Sequence, residues 1–119
     1  MLNLSIASRE VGSITVLDLS GESSISDGTI LQQQVRKLID EGKRLFIINL
    51  KNVRHLDSFG LGQLVASYQS IRGQKGDLKI VYPNSTVKDL LHYTRIDTVV
   101  QVIATETEAV EILQKQLSS

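Results

Sequence analysis

Leu45-Phe46-Ile47-Ile48-Asn49-Leu50 is a nearly continuous apolar run, and it constrains the fold more than any other stretch of the chain. A strand with one wet face alternates apolar and polar side chains. A short run that does not alternate fits a central strand covered on both faces. The pattern upstream is strand and then helix, so this buried strand points to a sheet with parallel members joined by helical crossovers.

The flanking segments supply the remaining elements. Leu2, Leu4 and Ile6 alternate with polar neighbours and read as a half-buried first strand; Gly12-Ser13 marks a turn. Ile14 to Leu19 is rich in β-branched residues and reads as a second strand, close enough to the first to form a hairpin and ended by Gly21. Glu22 to Gly28 is polar and reads as a loop in which Ser26 or Asp27 can cap a helix. Ile30, Leu31, Val35, Leu38 and Ile39 then recur at helical spacing, with Gly42 as the stop.

After the buried strand and a polar loop, Asp57-Ser58 opens a second helix whose stripe is Leu61, Leu64, Val65, Tyr68 and Ile71; Gly73 and Gly76 bracket its exit. Leu78 to Tyr82 is a fourth strand closed by Pro83. Asn84 or Ser85 can cap a short helix carrying Val87, Leu90 and Leu91. Val99 to Ala104 is a fifth strand, and a last helix turns Ala109, Val110, Leu113 and Leu117 inward. The expected order is β-β-α-β-α-β-α-β-α: an α/β fold with a mixed sheet of about five strands and about four helices, in one domain over residues 1–119.

Composition narrows the function classes. The chain has 119 residues, 41% hydrophobic and 22% charged, which suits one globular domain and argues against disorder. Thirteen basic residues balance thirteen acidic ones, so the basic excess expected of a nucleic-acid binder is missing. There are no cysteines, which removes disulfides, thiol catalysis and thiolate metal sites. No apolar stretch approaches the roughly 18 residues of a membrane span, and Met1 to Ser5 does not resemble a signal peptide. A cytoplasmic protein without membrane insertion is the expectation.

Enzyme signatures are sparse. His55 and His92 do not sit in a pattern of metal ligands, and Gly60 and Gly62 are only a fragment of a phosphate loop. His55, Asp57 and Ser58 are too close in sequence to form a catalytic triad readily. His55 reads as a loop or partly buried residue, and His92 as the exposed end of the third helix. No catalytic residue, metal site or cofactor is expected.

Asp57-Ser58 is the strongest local feature. Both residue types cap helices by accepting orphan backbone N–H bonds, and a cap alone would explain the pair. A serine hydroxyl at a helix start also lies at the positive end of the helix dipole, where a phosphate group is tolerated. Gly60 and Gly62 lower helix propensity by about 1 kcal/mol each. Either a partner or a neighbouring element needs close approach there.

The segment Leu50-Lys51-Asn52-Val53-Arg54-His55-Leu56-Asp57-Ser58-Phe59-Gly60-Leu61-Gly62 resembles the signature of the STAS family, the bacterial anti-sigma-factor antagonists. The likeness extends to Leu19-Ser20-Gly21-Glu22, to Gly76-Asp77-Leu78-Lys79-Ile80 and to Leu90-Leu91 through Val99-Val100, in the family's order and spacing. The resemblance implies a regulatory protein that binds an anti-sigma factor which is also a serine kinase. The kinase would phosphorylate Ser58 and switch the antagonist off, a serine phosphatase would restore it, and Asp57 would support recognition. The chain would then be a substrate rather than an enzyme, and a monomer or weak dimer when free.

Two residues depart from the family pattern. Phe59 replaces the usual Ser or Thr; it is either an exposed anchor at the interface or packed inward on the sheet, the latter being favoured for an aromatic beside a charged loop. Ser24 stands near a position where many members carry Asp, which leaves the Gly21–Asp27 loop neutral. That loop is expected beside Ser58. The expected partner surface is therefore Asp57, Ser58, Phe59, Gly60, Gly62, Ser23 and Ser24. The competing readings are a STAS scaffold without a switch, in a signalling complex or beside a transport system, and, with least support, an α/β enzyme or nucleotide-binding domain.

Overall fold

The computed structural model describes residues 4–23, 29–82 and 85–118. Five strands, β1 (Ser5–Val11), β2 (Ile14–Ser23), β3 (Leu45–Leu56), β4 (Asp77–Val81) and β5 (Gln101–Ile103), form one sheet in the order β1-β2-β3-β4-β5. β1 and β2 pair antiparallel as a hairpin, with Val11 opposite Ile14 and Gly12 at a φ of 60° in the turn. β2, β3, β4 and β5 are parallel. Four helices complete the fold: α1 (Ile30–Asp40), α2 (Ser58–Gly73), α3 (Ser85–Tyr93) and α4 (Glu106–Ser118), with a 3-10 turn at Ile96–Thr98. This is the expected mixed α/β architecture.

β3 is the middle strand, and Phe46, Ile47, Ile48 and Leu50 are fully buried. Period-two geometry sends Phe46, Ile48 and Leu50 into a core shared with Leu31 and Val35 of α1, Leu61 and Leu64 of α2, and Leu91 of α3. Ile47 points the other way, into a smaller core with Ile14, Val16, Val81 and Ile103 under Ala109 and Leu113 of α4. Three helices cover one face and one covers the other, so a run with no polar alternation is what burial demands.

Several boundaries differ from the sequence reading. Gly21 does not end β2: with φ at 97° it sits within the strand, which continues to Ser23. The Lys51–Leu56 segment is strand rather than loop. Ile30 and Leu117 are 39% and 56% exposed rather than inward: Ile30 lies beside the buried stripe of Leu31, Val35 and Leu38, and Leu117 lies one turn beyond the buried Leu113. The fifth strand is only Gln101–Ile103, and Val99 before it is exposed. At the exit of α2 the left-handed residue is Lys75, at φ 66°, not a glycine. Gly76 serves close approach instead, since a Cβ there would lie 2.2 Å from the Arg44 carbonyl oxygen. The expected caps Ser26, Asp27 and Asn84 fall outside the described residues; α1 begins after Thr29, which makes no side-chain cap bond.

Candidate functional site at the exit of the middle strand

The C-terminal half of β3 departs from a regular ladder. Asp18 pairs with Asn49 but Ser20 pairs with Asn52, and Gly21 pairs with Val53 but Glu22 pairs with His55. Each step inserts one extra residue into β3. Two β-bulges result, an uncommon feature between parallel strands and one that clusters near functional sites. Their effect is to convert a spacing of two into a spacing of three: Leu50, Val53 and Leu56 all remain buried on one face. Lys51, Asn52, Arg54 and His55 are pushed to the surface.

The last pair of that ladder, Ser23 with Leu56, brings the end of β2 beside the turn into α2. Here Asp57 is the N-cap, in extended backbone conformation, and its Oδ1 accepts the Gly60 amide at 2.9 Å. The Leu61 amide closes the first turn on the Asp57 carbonyl, also at 2.9 Å. The side-chain cap is thus supplied by Asp57 and not by Ser58. Ser58 occupies the first helical position, is exposed, and its hydroxyl has no hydrogen-bond partner among the described residues. The first amides of a helix have no partner within it, so the hydroxyl sits in a field that favours negative charge.

The other expected partner residues divide around this point. Phe59 is half-buried, neither wholly inward nor fully displayed. Gly60 is buried. Gly62 is exposed, and among the described residues a Cβ there would meet nothing within 4 Å, so none of them requires glycine. Ser23 is placed by its backbone pairing; Ser24 lies outside the described residues. His55 is exposed on the bulged strand, and His92 is exposed at the end of α3 with Nδ1 2.7 Å from Asp97.

The sequence reading missed the character of Lys51 to Leu56. The usable signal was the change from two-residue to three-residue spacing of apolar side chains beyond Leu50. Among the described residues no group of three or more His, Asp or Glu side chains is placed to hold a metal, and no helix is long and apolar enough to cross a membrane.

The family profile described as "STAS domain" matches residues 5–109. The anti-sigma-B factor antagonist of Bacillus subtilis is 23% identical over 103 residues, covering 87% of this chain and 94% of its own. Among solved structures, an anti-sigma factor antagonist from Mycobacterium paratuberculosis superposes with a TM-score of 0.84 at 21% identity, over 93% of this chain and 94% of that one. The Bacillus cell fate determinant SpoIIAA in its phosphorylated form superposes with a TM-score of 0.68 at 19% identity, over 90% of this chain and 97% of that one.

Proposed function

The chain belongs to the STAS domain family, and from that membership we propose that it is an anti-sigma factor antagonist switched by phosphorylation of Ser58. The observation that carries the proposal is the division of labour at α2. Asp57 caps the helix, which leaves the Ser58 hydroxyl exposed and uncommitted. Support comes from the relatives named as anti-sigma factor antagonists and from a neighbour of the same fold that exists in a phosphorylated form.

In the unmodified state Asp57, Ser58, Phe59, Gly60, Gly62, Ser23 and Ser24 contribute the surface that docks on an anti-sigma factor which is also a serine kinase. The exposed Gly62 lets the partner backbone approach closely. The kinase holds ATP. Ser58 Oγ attacks the γ-phosphorus, the bond to ADP breaks, and the serine proton leaves to solvent or a kinase base. A serine phosphatase reverses the change by hydrolysis. The chain is substrate and binder, acting in the cytoplasm as a monomer or weak dimer.

Phosphorylation adds about −1.5 to −2 charges and three strongly hydrated oxygens. Burying those oxygens against a partner requires their desolvation. A penalty of about 3 kcal/mol lowers affinity more than a hundredfold. No rearrangement of the antagonist is needed, because a helix start accommodates the new charge.

The test is intact-mass analysis after incubation with a candidate kinase and ATP, followed by binding measurements on wild type, Ser58→Ala and Ser58→Asp. One added phosphate lost in Ser58→Ala, with binding weakened in Ser58→Asp, is expected. A stable complex with no modification and equal affinity for all three forms selects a STAS scaffold without a switch.

A further inference from the structure

We propose that the groove at the bulged end of β3 receives an acidic segment of the protein partner, held by Lys51 and Arg54. This deepens the reading above, since it concerns the same docking surface.

The groove, about 650 Å³, lies between the β2–β3 bulges and the start of α3, with Gly21, Val53, Thr86 and Val87 among its walls. Lys51 and Arg54 stand on its rim, and both are exposed. Neither has a carboxylate partner among the described residues. Among the lysines and arginines of the described residues only Arg9, Lys43 and Lys79 are ion-paired, so an unpaired cation is common on this surface; what distinguishes Lys51 and Arg54 is that both line one groove.

The bulges account for this concentration of charge. Leu50 and Lys51 together oppose Leu19, and Arg54 has no partner at all on β2. A regular ladder would alternate these positions between the two faces. The bulged one keeps the apolar residues inside and sends the two cations out together. Net charge is zero over the whole chain, so attraction at this groove comes from its own cations and not from an overall charge. The α3 dipole adds to it, because Thr86 brings the first turn of that helix to the same groove.

A protein segment suits this site better than a small anion. The groove is open, and exposed ion pairs are individually weak because water screens them. Two cations on an open rim therefore hold a single small anion poorly. Across a protein interface the same charges steer encounter and set register. The β2–β3 ladder runs from the groove, at Gly21 and Val53, to its last pair at Ser23 and Leu56, two residues before Ser58, so the groove and the α2 start lie along one strand end.

The probe is a 12-residue peptide of Asp, Glu and Leu, titrated into isotope-labelled protein and followed by amide chemical shifts. The expected result is a set of shifts at Gly21, at Lys51 to Arg54 and at Thr86, with affinity lowered at least tenfold in Lys51→Glu/Arg54→Glu and lowered by added salt. Lys51→Gln/Arg54→Gln, which removes charge without reversing it, should show an intermediate loss and guards against a folding defect. Shifts elsewhere, or shifts unchanged in both double variants, would overturn the proposal. A response to inorganic phosphate with none to the peptide would overturn it in favour of a small-anion site. No kinase is present in this titration, so a failure of Ser58 phosphorylation is separately visible.

Discussion

The Asp57 carboxylate accepts the Gly60 amide at 2.9 Å and so relieves Ser58 of any structural duty at the start of α2. A residue with no capping role can be modified without loss of the fold. The consequence is measurable. Asp57→Ala should lower stability by about 1 kcal/mol, the usual worth of an N-cap, and depress the thermal midpoint by about 4 °C. Asp57→Asn should recover most of it, since an amide oxygen accepts the same bond. Thermal unfolding of the three proteins decides the matter.

Ser58→Asp should separate stability from binding. A negative side chain in the first turn of α2 meets the positive end of the dipole and should stabilise the free protein by about 0.3–1 kcal/mol at low ionic strength. The gain should shrink in salt, because the position is exposed. Urea unfolding at two salt concentrations measures it. A destabilisation would mean that phosphate acts by disturbing the antagonist rather than its contacts.

Two glycines should respond in opposite ways to alanine. At Gly62 a Cβ meets nothing within 4 Å, so Gly62→Ala should gain helix propensity of about 1 kcal/mol and raise the thermal midpoint while weakening partner binding. At Gly76 the same atom would fall 2.2 Å from a backbone oxygen and 2.9 Å from Ile71 Cγ2. Backbone cannot swing aside as a side chain can, so Gly76→Ala should cost at least about 2 kcal/mol. Thermal melts of both variants test the contrast.

Asp77 sets an acid-sensitive contribution. Burial alone pushes its carboxyl up, but bonds from Lys79, Gln116 and the Leu78 amide outweigh that and hold it below the usual carboxylate value of 3.8. Lys79 Nζ stands 3.0 Å away and the Leu78 amide 2.8 Å. A carboxyl held lower when folded stabilises fully above its unfolded value, and that contribution is lost as pH falls through the folded value beneath it. Asp77→Asn should therefore flatten the loss of stability below about pH 4. At neutral pH it should cost on the order of 3 kcal/mol, because Lys79, only 7% exposed, loses its counter-charge. Urea midpoints at pH 3 and pH 7 provide the check.

What could be read from the chain alone was what is encoded locally. A short, nearly continuous apolar run rich in β-branched residues fits a strand with cover on both sides, and Leu45–Leu50 forms the first half of β3. Asp57-Ser58 ahead of a helical stripe marks a helix start, because capping involves residues three positions apart, and Gly12 marks a turn for a similar reason. The lengths of β2 and β3, the bulges between them and the placement of Lys51 and Arg54 came only with the tertiary structure. A strand continues for as long as a neighbour supplies hydrogen bonds, whatever its own polarity. Whether Leu117 is covered likewise depends on how far its helix overlaps the sheet. Periodicity and capping act within a few residues; register and overlap are set between segments distant in sequence.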